Sequence, residues 1–161
     1  MQKVIYKLVK GLKLQYKAIP IGNEASRSLY VSSYLVAASN LLKNRFTISP
    51  EKTISGPNRH GTLDYALVTS TSFNVFGAVE VKATDYLQDI AQNTVQCESI
   101  LTNRRKPVFK IITDSEKWGF LKCFSDDNGN PIFQLSKQLV LFMEMTIWKI
   151  GQGKLLKHLY S

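Results

Sequence analysis

The sequence predicts an α/β sandwich, a mixed sheet covered by helices. Three observations carry this. A helical period of apolar residues over about 24–43 precedes two runs apolar enough to be central strands, 63–68 and 74–82. A second helical stretch, 85–103, separates these from strand-like runs at 108–113, 118–124 and 132–135. A closing helix follows, and helix, strands, helix, strands, helix are the elements of a sheet layered with helices.

The elements read as follows. Residues 1–19 form a basic segment set apart from a domain over 20–161. Lys3, Lys7, Lys10, Lys13 and Lys17 recur every three or four residues with no acid among them, and Val4, Ile5, Leu8, Val9 and Leu12 fill positions between. This is a basic amphipathic helix pattern, expected to break at Gly11 and to end before Pro20. A solvated face, nucleic-acid contact and contact with an anionic membrane are all open readings. Asn23 is placed to cap the helix that runs to about Lys43, with Leu29, Tyr30, Tyr34, Leu35, Ala38, Leu41 and Leu42 at helical period. Pro50, Gly56, Pro57, Asn58 and Gly61 mark turns, with a short strand at 51–55 between them.

Strands 63–68 (LDYALV) and 74–82 (NVFGAVEVK) are joined as a hairpin by the polar tip 69–72. Thr84 is the expected cap of helix 85–103, and Pro107 opens the next strand. Residues 126–130 (DDNGN) are a turn. They resemble a calcium loop only in part, since the bidentate Glu at the twelfth position is missing. Ser136 is expected to cap the final helix, which turns Leu139, Leu141, Phe142, Met145 and Trp148 to the core.

A chain of 161 residues suits one domain, and 44% apolar residues are too many for a disordered chain. No apolar run reaches the ~20 residues of a membrane span; the longest, 139–150, is interrupted by Glu144 and Lys149. No secretory signal is visible. Cys97 and Cys123 stand alone and the histidines are His60 and His158, so a structural zinc site lacks clustered ligands. Isolated cysteines read as reduced core residues of an intracellular protein. The formal net charge of +9 suits a polyanionic partner, nucleic acid before anionic membrane.

Three charges sit where charge is costly. Asp64 interrupts the first strand of the hairpin; Glu80 and Lys82 interrupt the second. Strand alternation puts Glu80 and Lys82 on one face, and hairpin pairing brings Asp64 beside them. Two carboxylates can hold a hard cation such as Mg²⁺, which prefers oxygen and keeps several waters. A lysine beside them can position the attacking water and neutralise phosphate oxygens. With an ordinary pKa of about 10.4, it suits charge stabilisation better than proton abstraction. The competing reading is a buried ion pair with no catalytic use, though such pairs are weak sources of stability.

Helix, hairpin with Asp64, Glu80-x-Lys82, helix and strand resemble the αβββαβ core of the restriction-endonuclease-like, or PD-(D/E)XK, nucleases. That resemblance implies a metal-dependent phosphodiester hydrolase. Asp64 and Glu80 would be ligands to Mg²⁺, or Mn²⁺, the Val81 carbonyl a third ligand, and Lys82 the catalytic lysine. Leu63-Asp64 stands where the family has Pro-Asp. Glu24 matches a first-helix acid that faces the metal in many members; otherwise it is an acid favoured by the helix dipole. The segments 23–27 (NEASR), 61–66 (GTLDYA) and 92–99 (QNTVQCES) are similar to a fungal family within crinkler-type effectors. This implies a domain, or a fragment of a longer protein, delivered to a host cell and working in its nucleus or cytoplasm.

Gln88, Gln92 and Gln96 form one helical stripe, and Gln92 resembles a glutamine of the RecB branch of these nucleases, although Gln96 stands where that branch has Tyr. At least one of Gln92 and Gln96 is expected to face the carboxylates; an ordinary polar helix face is the alternative. Arg104, Arg105, Lys106 and His60 are surface positions or phosphate contacts. The leading expectation is Mg²⁺-dependent hydrolysis of DNA, ahead of RNA. A nuclease-like fold that binds nucleic acid or protein without turnover is the rival.

Overall fold

The computed structural model describes residues 1–56, 59–83 and 106–141, with no account of the side chains of 56–60. Two helices open it, α1 (Gln2–Ala18) and α2 (Glu24–Leu41). Seven strands follow: β1 (Phe46–Gly56), β2 (Arg59–Thr69), β3 (Val75–Val81), β4 (Val108–Thr113), β5 (Lys117–Ser125), β6 (Pro131–Leu135) and β7 (Leu139–Val140). They form one sheet in the order β1-β2-β3-β4-β5-β6, with β7 also paired to β5. Among the described strands, β3 and β4 run parallel and the other pairs antiparallel. A parallel neighbour needs a crossover of a dozen or more residues; the stretch 85–103, predicted as a helix, falls in that part of the sequence and lies outside the described residues.

Helix α1 continues through Gly11, against the expected break. A glycine costs about 1 kcal/mol in a helix interior, and burial of Val9 and Leu12 on either side outweighs it. The helix ends where predicted, because the residue before a proline is driven out of the α region; Ile19 is extended, at φ −127° and ψ 99°. Helices α1 and α2 form an antiparallel pair. The Tyr30 hydroxyl donates to the Ile19 carbonyl and the Ser33 hydroxyl to Gln15 Oε1, while Leu12 packs on Tyr30. Asn23 caps α2 as predicted, its Oδ1 accepting the Ser26 N–H at 2.9 Å.

Residues of α2 cover one face of the sheet. Val31 and Leu35 pack with Phe46, Tyr65, Leu67, Val79, Val81 and Trp118. The opposite face carries Leu63, Ala66, Val68 and Ala78, and farther along Val108, Leu121 and the buried Cys123. Cys97 lies outside the described residues.

Further expectations need correction. Strand β1 begins at Phe46, well before the predicted 51–55. Pro50 reads as a turn in sequence, but β1 is an edge strand, where a missing N–H is tolerated. The predicted helix from Ser136 is not formed over 136–141. Ser136 is held by β5 instead: its N–H donates to the Phe120 carbonyl and its hydroxyl accepts the Phe120 N–H. Leu139 then pairs with Trp118 and Val140 with Lys117, both side chains exposed, while Leu141 packs against the α2-side core. Phe142, Met145 and Trp148 lie outside the described residues. The predicted turn at 126–130 is present, with Asp126 accepting from the Asn128 and Asn130 amides and the Asn130 side chain. These bonds, the Asn130 side chain foremost, lower the Asp126 pKa.

Candidate active site

The site forms where β2 and β3 part. Their ladder pairs Leu67 with Gly77, Ala66 with Ala78 and Tyr65 with Val79, and the pairing ends there. Beyond it a side chain replaces the backbone acceptor: Asp64 Oδ2 accepts the Val81 N–H at 2.6 Å. On the other side of β3, the Lys82 N–H donates to the Thr113 carbonyl at 2.9 Å. Backbone groups of successive strand residues point in opposite directions. The Val81 carbonyl therefore faces the same side as its N–H, toward Asp64.

The direction of Asp64 has a local cause. Strict alternation would put Leu63 with Tyr65 and Leu67. Those two join the α2-side core, yet Leu63 packs with Ala66 and Val68 on the far face. The alternation slips by one at Asp64. Facing this point on β1, between the pairs Pro50–Tyr65 and Lys52–Leu63, Glu51 has φ +49°. A non-glycine residue in the left-handed region stores of order 1 kcal/mol or more, a feature that clusters at functional sites.

Strand alternation brings Glu80 and Lys82 together as expected, with Lys82 Nζ 3.1 Å from Glu80 Oε1. Their side chains are 14% and 28% exposed, so the pair sits at the lip of the sheet. Glu80 Oε2 turns inward. It is buried without a hydrogen bond, and Lys110 Nζ lies 3.5 Å from it in an ion contact that lacks hydrogen-bond geometry. Lys110, 1% exposed, projects from β4 on the same face. Sequence reasoning did not single out Lys110. The signal was present, since a lone lysine inside VFKIIT is the same anomaly as Asp64 in LDYALV.

Burial is the main cause that raises the Asp64 pKa above the usual carboxylate value. The Val81 amide opposes it, the like charges of Glu80 and Glu24 add to it, and Lys82 offsets part. Glu24, in the first turn of α2, thus acts on the same point as Glu80. Its helix end is tied down by Arg27 of the NEASR segment, whose Nη1 donates to the Asp114 carbonyl at 2.6 Å in the β4–β5 turn.

The structure therefore brings Asp64, Glu80, Lys82 and Val81 together, with Glu24 within electrostatic reach and Lys110 as a second cation. Gln92, Gln96, Arg104 and Arg105 lie outside the described residues, as does the side chain of His60. Among the described residues, no group of three His, Cys, Asp or Glu side chains is placed to hold a metal ion. Two carboxylates and waters suffice for a hard cation. The donor set fits one: crowded acidic oxygens, one of them buried without a hydrogen bond, are what a cation would relieve.

The chain is similar over 98% of its length to Crinkler effector protein 1 of Rhizophagus irregularis (strain DAOM 181602 / DAOM 197198 / MUCL 43194), with 38% identity over 172 aligned residues. It spans 37% of the length of that protein. This likeness agrees with the crinkler-type resemblance read from the NEASR and GTLDYA segments. No family model matches the chain, and no solved structure matches it.

Proposed function

We propose that this chain, similar as it is to a crinkler effector, is a nuclease domain of the restriction-endonuclease-like class. It would hydrolyse phosphodiester bonds, in DNA ahead of RNA, with Mg²⁺ or Mn²⁺. The observation that carries this reading is the gathering of Asp64, Glu80 and Lys82 where the β2–β3 ladder opens, in a sheet whose neighbouring inward residues are mainly apolar. Asp64 and Glu80, with the Val81 carbonyl, would hold the cation. Bound there, it supplies Lewis-acid stabilisation of the phosphate and a more acidic water.

The chain's own residues do the rest. Lys82, partly exposed at the lip, offers its ammonium to the phosphate oxygens where negative charge grows. Asp64 is held by the Val81 amide, so its remaining oxygen has a fixed direction. Arg27 fixes the end of α2 that carries Glu24. Since the relative is named an effector, the domain would work in the nucleus or cytoplasm of a cell into which it is delivered.

One observation favours a second reading, a module that binds without turnover. Lysines face both Glu80 oxygens, so the chain itself compensates the charge of this carboxylate. Calorimetric titration with Mn²⁺ separates the two. The nuclease reading expects binding to the intact chain that Asp64→Ala and Glu80→Ala each abolish. A folded chain that takes up no Mn²⁺ leaves the binding module.

A further inference from the structure

We infer that the lysine face of α1 is a docking surface for the phosphate backbone of duplex nucleic acid. The inference rests on the nuclease reading only in taking the bound strand to be substrate. Lys3, Lys7, Lys10, Lys13 and Lys17 are all exposed. At 100° per residue they fall within one arc, interleaved with Tyr6 and Leu14, which are 67% and 62% exposed. The other arc, with Leu8, Val9 and Leu12, is spent on α2.

This face is electrostatically unfavourable as it stands. Successive lysines stand three or four residues apart, where like charges repel. Lys3 lies in the first turn, where the helix dipole disfavours a cation, and that turn has no acid. Neither α1 nor α2 carries an acid beyond Glu24, and among the described residues none of the five lysines makes an ion pair. A polyanion would relieve that repulsion.

The geometry favours nucleic acid over a membrane. A helix that lies in a bilayer interface must offer its apolar face to lipid, and here that face is covered by α2. From Lys3 to Lys17 the helix rises about 21 Å. A duplex strand presents a phosphate about every 3.4 Å along its axis, so five lysines would meet about six phosphates. The lysine face also ends beside the segment that leads into α2, whose first turn carries Glu24.

The test uses the full chain, EDTA to prevent cleavage, and fluorescence anisotropy with a 20-base-pair DNA duplex at several salt concentrations. Each phosphate contact contributes about 0.9 to the slope of log affinity against log salt. Lys→Gln at all five positions should lower the slope by about 3–4 and weaken binding at least about tenfold. Lys→Arg at the same positions should keep the parent slope. The substituted residues are exposed, and circular dichroism checks that the helices persist. Unchanged slope and affinity in the Gln variant overturn the inference, as does absence of duplex binding by the parent chain. Binding to phosphatidylserine vesicles but not to DNA also overturns it, in favour of a membrane. Cleavage is scored separately with Mg²⁺. Lysine-dependent binding without cleavage upholds this surface and defeats the nuclease reading; cleavage with an unchanged slope does the reverse.

Discussion

Lys110→Met replaces a cation that is 1% exposed by an apolar chain of similar length, and leaves Lys82 as the ion-pair partner of Glu80 among the described residues. Removing one member of a buried pair costs about 3–5 kcal/mol when the other is stranded. Here Lys82 at 3.1 Å still compensates Glu80, and the 3.5 Å contact lacks hydrogen-bond geometry. A loss of about 2–3 kcal/mol, at or below the low end of that range, is therefore expected. Glu80→Gln removes the carboxylate that both lysines face and should cost a similar amount. The double substitution removes opposite charges together, so it should recover about 2 kcal/mol of the summed loss. Urea unfolding of the four chains measures this. With a slope of about 1–3 kcal/mol per molar urea, each single change moves the midpoint by roughly 1–2 M. Effects that add to within about 0.5 kcal/mol would show that Lys110 and Glu80 are energetically independent, and would refute the reasoning.

Other outcomes follow from the same geometry. Because the Asp64 pKa is raised, mainly by burial, its ionised form costs folded-state stability at neutral pH, and that cost fades as pH falls toward the unfolded value of about 3.9. Asp64→Asn should therefore raise Tm at pH 7 and leave it at the parent value below about pH 3.5; a lower Tm at pH 7 contradicts this. Arg27→Ala removes the 2.6 Å bond to the Asp114 carbonyl and should cost about 1.5–3 kcal/mol. Hydrogen exchange at the start of α2 should quicken, and unchanged exchange there would show that Arg27 is no anchor. Gly77→Ala would put a Cβ 3.0 Å from the Phe109 carbonyl oxygen and 3.2 Å from Leu67 Cδ1. It should destabilise by about 1–3 kcal/mol in a thermal melt, and a neutral result means that β3 and β4 give way.

What could be read in the sequence was what local rules determine. Alternation put Glu80 and Lys82 on one face, the Asn23 cap set the start of α2, and Pro20 set the end of α1. Misreadings arose where tertiary pairing overrode a local signal. Pro50 lies within an edge strand, and Ser136, a good helix cap in isolation, is bound on both backbone and side chain by Phe120 of β5. The slip in alternation at Asp64 was not legible, since it depends on a left-handed Glu51 in the neighbouring strand. Lys110 was legible by the charge-in-an-apolar-run criterion that found Asp64. Its contact with Glu80 was not, because parallel pairing of β3 with β4 joins residues far apart in the chain.

The most direct measurement is cleavage of single- and double-stranded DNA and RNA by the full chain, with Mg²⁺ or Mn²⁺ against an EDTA control. The expected result is metal-dependent hydrolysis, with DNA cut faster than RNA. Asp64→Ala and Glu80→Ala should abolish it. Lys82→Ala should slow it by about a hundredfold or more while Mn²⁺ binding persists, since it removes transition-state charge stabilisation and no ligand. A folded chain that cleaves none of these substrates with either metal, or that cuts undiminished after Asp64→Ala or Glu80→Ala, contradicts the assignment.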